Sequence, residues 1–236
     1  MENPKTSVID QFLVSSEASG DDYERFLLSM VFSDAAARAT DAGAVGADAI
    51  QGFVGAWASR MGTLGWTLTQ AGNSTLQMRA SRSSATAPFS ELLAAEVSRE
   101  VPGSQVGSQL LTLLAGPTTQ DATMLDLWWR YASATAGWLS FGFVQLRSDP
   151  AGPIFGLDLS SVEASQLELD HGFFHEKRPV EITGWQQLGT QVLTAPVSFS
   201  SRSFTAQLRR DIFDGQAAQV RAALGAKLAD HYAIGA

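Results

Sequence analysis

The run Leu139-Ser140-Phe141-Gly142-Phe143-Val144-Gln145, the tetrapeptide Asp149-Pro150-Ala151-Gly152 and the run Phe155-Gly156-Leu157-Asp158-Leu159 together decide the fold. Phe141, Phe143 and Gln145 alternate before the tetrapeptide, and Phe155, Leu157 and Leu159 alternate after it. Successive side chains of a strand point to opposite faces, so this spacing predicts two antiparallel strands joined by a Pro/Gly turn. The pattern continues downstream. Leu167, Leu169, His171 and Phe173 share one face opposite Gln166, Glu168 and Asp170, then come Val180 with Ile182, and Leu193, Ala195, Val197 and Phe199. Pro196 cannot donate to a ladder, which predicts an edge or a bulge for the last of these.

Upstream the periodicity is helical. Asp21 and Glu24 make a capping-box-like start, and Tyr23, Phe26, Leu27, Met30, Val31 and Ala35 follow at helical spacing. A second helix is predicted over 45–61, with Val45, Ile50, Phe53, Val54, Trp57 and Met61 on one broad face. Its glycines, Gly46, Gly52 and Gly55, each weaken it by roughly 1 kcal/mol against Ala and suit close backbone packing. Residues 65–80 read as a hairpin turning at Ala71-Gly72-Asn73-Ser74, and Ser81–Pro88 as an exposed loop. Further helices are predicted at about 88–100, 104–115 and 121–137, and a closing helix at 214–232 carries Ala217, Val220, Leu224 and Leu228 inward. Helices first, an antiparallel meander second and a helix last predict an α+β fold with segregated layers, because a parallel sheet requires strands alternating with helices. The expected organisation is an N-terminal arm over 1–20 and one α+β domain over 21–236. That domain is helix-rich over 21–138 and strand-rich over 139–210.

The chain has 236 residues, enough for a sizeable core, and carries a net charge of −8. An acidic chain with dispersed basic residues is not expected to bind nucleic acid. Its charged content of 17% lies below the usual value of about 25%. Between Glu100 and Asp121, and again between Arg130 and Arg147, no side chain is charged. Neither stretch reads as a membrane span. The first is broken by Pro102, Gly103, Gly107, Gly116 and Pro117, and the second is shorter than the roughly 20 apolar residues a span needs. With no cysteine, disulfides, thiolate nucleophiles and zinc–thiolate sites are excluded. The first 20 residues lack a basic leader and a long apolar region, so cytoplasmic synthesis is expected, with leaderless export left open.

The densest polar constellation is Asp170-His171-Gly172-Phe173-Phe174-His175-Glu176. Residues four apart share a face on a strand or a helix, so His171 and His175 align. With His231 they allow a three-histidine zinc site, and His171 with Asp170 or Glu176 allows general acid–base chemistry. A hydrogen-bonded histidine at the core edge is the ordinary explanation of His171, which continues the face of Leu167 and Leu169, and a third reading is a pH-responsive element. Nucleophile elbows, phosphate loops and dinucleotide fingerprints are missing, so no cofactor is expected.

The remaining cluster is aromatic: Trp128, Trp129, Arg130, Tyr131 and Trp138. It reads either as core packing or as an anchor for a partner or a lipid interface, with Arg130 at a rim or headgroup. In the order of its elements, and in no motif, the chain is similar to small α/β membrane-active toxins, whose helical layers cover a sheet and separate from it at the bilayer. The similarity implies a non-enzymatic protein that engages lipid or a protein partner through helices 45–61 and 104–137, with stronger vesicle binding at acidic pH. Two other readings stand beside it: a cytoplasmic self-assembling protein, and a cofactor-independent enzyme with an apolar pocket using the histidine segment.

Overall fold

The computed structural model describes residues 5–18, 20–40, 46–78, 119–132, 138–163 and 197–234. The expected helices at 88–100 and 104–115, the loop Ser81–Pro88, and the strand readings at 167–173 and 180–182 lie outside these residues.

The fold is α+β, with helices set against a mixed sheet of seven strands among the described residues, most of its pairings antiparallel. The strands are β1 (Lys5–Ile9), β2 (Phe12–Ser16), β3 (Trp66–Met78), β4 (Trp138–Arg147), β5 (Ile154–Glu163), β6 (Val197–Leu208) and β7 (Tyr232–Ile234). Their order across the sheet is β3-β6-β5-β4-β2-β1-β7. The helices are α1 (Asp21–Thr40), α2 (Gly46–Thr63), α3 (Thr119–Ala132), the short α4 (Arg210–Asp214) and α5 (Ala217–Leu224), the last continuing as a 3-10 turn over Gly225–His231.

The β4–β5 hairpin forms as its alternation predicts, with Phe143 opposite Asp158 and Val144 opposite Leu157. Asp149 closes its turn twice: its carbonyl accepts from Gly152 N–H at 3.0 Å and its carboxylate from Ala151 N–H at 2.9 Å. Gly152 is required there, because it has φ +144° and a Cβ would run into the Leu208 carbonyl oxygen.

Four expectations need correction. Residues 5–16 are not an arm; they form the β1–β2 hairpin inside the sheet, and β2 pairs in parallel with β4, so the sheet is not a pure meander. The expected hairpin at 65–80 is one continuous strand, β3, which absorbs Gly72 in a bulge after Gln70 while pairing with β6 along its length. The strand after Pro196 runs on to Leu208 and sits between β3 and β5 rather than at an edge. The closing helix stops at Leu224, tightens into a 3-10 turn, and ends in β7, which pairs with β1.

The core lies between one sheet face and the α1–α2 pair. Phe155 and Leu157 (β5), Val144 and Leu146 (β4), Phe204, Ala206 and Leu208 (β6) and Phe12 and Val14 (β2) meet Phe26 and Val31 (α1) and Phe53, Val54, Trp57 and Met61 (α2). Aromatic edges and faces order the packing. Trp66 lies 4.8 Å from Phe155 and Phe26 lies 5.5 Å from Phe155, centroid to centroid, while Trp57 bridges Phe12 at 6.0 Å and Phe204 at 6.2 Å. α3 covers the opposite side near β1, β4 and β7, where Trp128 sits 5.9 Å from Phe141.

Candidate functional site: a buried cluster of ionisable groups

Asp10 occupies the tight turn between β1 and β2 with φ +50°, a left-handed conformation that Asp and Asn tolerate better than other side chains. The turn aims its carboxyl inward, where it is 0% exposed. Asp34 is also 0% exposed. It lies on the inner stripe of α1, one helical step beyond Met30 and Val31. Arg38, one turn further along, reaches back to it with Nε at 2.6 Å from Oδ2.

Two more elements complete the cluster. From the 3-10 turn, His231 brings Nδ1 to 2.8 Å from Asp10 Oδ1, and its carbonyl accepts from Asp10 N–H at 2.9 Å. From α3, the Tyr131 hydroxyl lies 3.1 Å from the same His231 Nδ1, and the Tyr131 carbonyl accepts from Arg38 Nη2 at 3.2 Å. The Arg38 guanidinium is held between rings, 5.3 Å from the Phe53 centroid and 5.2 Å from that of Tyr131. One site therefore ties together the first turn, α1, α2, α3 and the C-terminal segment.

The electrostatics favour bound protons. Burial, and then the charge of Asp34, push the Asp10 carboxyl up to about 7, against the opposing pull of His231 and Arg38. Burial likewise raises Asp34, although Arg38 resists it. The hydrogen bond to Asp10 raises His231, and burial raises Tyr131. Asp10 Oδ2 and Asp34 Oδ1 find no donor among the described residues. A hydrogen bond between the two carboxyls, which needs a proton on one of them, works against the rise at Asp34.

The placement of the expected site residues is mixed. Trp128 is 1% exposed and belongs to the core, so in this conformation it is not a surface anchor. Arg130 is exposed, Tyr131 is half-buried in the cluster, and Trp129 and Trp138 lie on α3 and at the start of β4. His171, His175, Asp170 and Glu176 fall outside the described residues. His231 is engaged by Asp10 and Tyr131, and no group of three acidic or histidine side chains suited to a metal occurs among the described residues. Sequence reasoning missed Asp10, Asp34 and Arg38. Asp34 had a usable signal, since an acid on an apolar helical stripe with a base four residues on marks a buried pair.

No family model matches the chain, and no curated protein matches it. Among solved structures, one described as a delta-endotoxin aligns over 87% of this chain and 88% of its own, at 13% identity and a TM-score of 0.35. At that score the likeness assigns neither a family nor an activity.

Proposed function

We propose that the chain is a non-enzymatic interaction protein that engages a lipid surface, with α2 as the engaging element. The observation that carries this reading is the state of α2. Its sequence, GADAIQGFVGAWASRMGT, holds only Asp48 and Arg60 as charges, and Ile50, Phe53, Val54, Trp57 and Met61 are all buried. Trp57 is 0% exposed, yet its indole N–H has no partner among the described residues. An unsatisfied buried donor costs about 1–3 kcal/mol. At a lipid interface the same ring keeps apolar surroundings and its N–H reaches water or a headgroup.

α2 is also weakly tied to the sheet by directional bonds. Among the described residues, Arg202 of β6 donates to Gln51 and the rest of that junction is apolar packing. Moving α2 to the interface keeps its own side chains in apolar surroundings, and the α1 and sheet residues that it covers must find other cover there. None of the helices among the described residues is long and apolar enough to cross a membrane, so the helix would lie in the interface plane. Flotation with phosphatidylcholine vesicles, some carrying brominated chains, tests the reading. Binding with tryptophan quenching that drops sharply in Trp57→Phe supports it, and protein left unbound at every pH and lipid composition tried sinks it.

A second reading, self-assembly, is favoured by β3. This strand has 13 residues without a charge or a proline, and among the described residues it pairs only with β6. Long uncharged edges template further pairing. A fixed multiple of the chain mass in lipid-free light scattering would support this reading over the lipid one.

A further inference from the structure

We propose that the Asp149–Pro150 peptide bond in the β4–β5 turn is a self-cleavage site, at which the Asp149 carboxyl displaces Pro150 while Arg210 and the Gly152 N–H hold the charge that develops on the carbonyl oxygen. Such a cut changes the covalent chain itself and stands whether or not lipid is the partner.

Chemistry singles out this bond first. An aspartyl–prolyl bond is the most acid-labile of peptide bonds, because the side-chain carboxyl can reach its own main-chain carbonyl and the proline nitrogen takes up a proton more readily than other amide nitrogens. Asp-Pro occurs once in the chain, and Pro150 is exposed, so water reaches it. Geometry adds the rest. Asp149 Oδ1 accepts from Ala151 N–H at 2.9 Å, which folds the carboxyl back across the Asp149–Pro150 peptide, while Oδ2 accepts from no described residue. The carbonyl oxygen of that same peptide takes two donors, Gly152 N–H at 3.0 Å and Arg210 Nη2 at 2.9 Å. It is the oxygen that becomes an oxyanion when the carboxyl adds to the carbonyl carbon, and donors already in place there favour the charged intermediate over the neutral amide.

Arg210 is mounted for this position. Its Nη1 lies 2.9 Å from the Pro150 carbonyl oxygen, and Asp22 of α1 accepts from its Nε at 3.1 Å and its Nη2 at 2.9 Å. Ser148 donates to the same Asp22 carboxylate at 3.0 Å, and Arg25 lies 3.5 Å from it. The Arg210 hydrogen bond holds the Asp22 carboxyl below the usual carboxylate range, so the mount persists into mild acid. The charged groups set around the turn are thus Arg210 from α4 and Asp22 with Arg25 from α1, and exposed Arg147 stands beside it at the end of β4. In the reaction an oxygen of the Asp149 carboxyl bonds to the Asp149 carbonyl carbon, and the C–N bond to Pro150 breaks. The carboxyl proton passes to the Pro150 nitrogen, which leaves as a secondary amine, and Asp149 is left as a cyclic anhydride of the succinic type. Water opens the anhydride to two carboxyls, so the sum is one water added across one peptide bond. The pieces are residues 1–149 and 150–236. The β1–β7, β3–β6 and β4–β5 pairings all cross the cut, so the pieces stay together while the fold holds. What is lost is the turn that fixes β4 against β5.

The full chain, incubated in mildly acidic buffer with protease inhibitors and followed by denaturing gel and mass spectrometry, tests the site. The same chain unfolded in urea at the same pH gives the intrinsic rate of the bond, and tryptophan emission reports that the native sample stays folded. Fragments 1–149 and 150–236 should appear faster from the folded chain than from the unfolded one, by about tenfold or more. A single well-placed donor in an enclosed oxyanion site is worth about 10²–10³, and Arg210 is partly exposed. Arg210→Lys should bring the native rate down toward its own urea rate, and Asp22→Asn, which unmoors Arg210, should do so in part. Asp149→Asn removes the attacking carboxyl and should abolish both fragments. A native rate no greater than the urea rate overturns the proposal, since the same hydrogen bonds would then only brace the turn. So does a native rate unchanged in Arg210→Lys, or a cut that persists in Asp149→Asn.

Discussion

Gly142 lies on β4 directly beside Phe12 of β2, and replacing it with Ala isolates the packing of that junction. A Cβ built there would stand 2.5 Å from Phe12 Cδ1 and 2.9 Å from Leu157 Cδ1. Carbon atoms pack best at about 3.5–4 Å, so both neighbours must retreat by about an ångström. Phe12 is 0% exposed and is backed by Trp57 at 6.0 Å, which leaves its ring no open side. Overpacking of this kind costs about 1–3 kcal/mol, and the tight backing places Gly142→Ala near the upper end, at about 2–3 kcal/mol. Phe12→Leu alone should cost about 1–2 kcal/mol as a large-to-smaller core change. In the double variant the added methyl fills space the ring has left, so the combined loss should fall about 1–2 kcal/mol short of the sum of the singles. Urea unfolding with an unchanged slope is the assay. A single-variant loss below about 0.5 kcal/mol, or simple additivity in the double, would refute the argument, because both require the ring and the methyl not to meet.

Three further outcomes are expected. Raised values for Asp10, Asp34 and His231 mean that this cluster binds more protons in the folded chain than in the unfolded one, so its own contribution to stability is greatest in acid and declines as pH rises, against the opposite contribution of Asp22, whose carboxyl Arg210 holds low. For Asp10 the decline spans 3.8 to about 7 and amounts to at most about 4 kcal/mol, readable as the change with pH in the urea-midpoint difference between wild type and Asp10→Asn, and a difference that shifts in favour of wild type as pH rises would contradict it. Gly152→Ala should cost about 3 kcal/mol or more, because positive φ and a backbone carbonyl leave the new methyl nowhere to go; thermal unfolding would show it. Arg221→Ala should change stability by less than about 0.5 kcal/mol in the same assay, since its pair with Glu24 is about half exposed on both sides, at 54% and 51%.

What the chain discloses without its structure follows from the range of the interactions involved. The β4–β5 hairpin and α1 are legible because period-two alternation, the Asp-Pro-Ala-Gly turn and a helical stripe are all local signals. β1 and β2 are not, because Ser7 and Ser16 are buried polar residues that interrupt the apolar pattern, and their partners lie at the far end and the middle of the chain. Ala71-Gly72-Asn73-Ser74 looks like a turn in isolation. Its pairing with β6 overrides that preference and turns the glycine into a bulge. His231 is identifiable as a chemically capable residue, but its role is not, since Asp10, its partner, lies at the opposite end of the sequence. Asp34 and Arg38 were within reach of a helical wheel.

The parallel pairing of β2 with β4 has a consequence for assembly. Every other neighbouring pair among the described strands is antiparallel, and this one matches Phe12 with Gly142 and Ser16 with Leu146, partners far apart in the sequence. No short turn can deliver it, so, like the β3–β6 and β1–β7 pairings, it forms only after a large loop has closed. It is a seam. On one side lies a sheet half built from β3 to β6, and on the other a narrow ribbon of β2, β1 and β7 stitched from the two ends of the chain. The β1–β7 pairing, which joins Ser7 to Ile234 across the widest sequence separation in the described sheet, is therefore expected to form last and to open first under load.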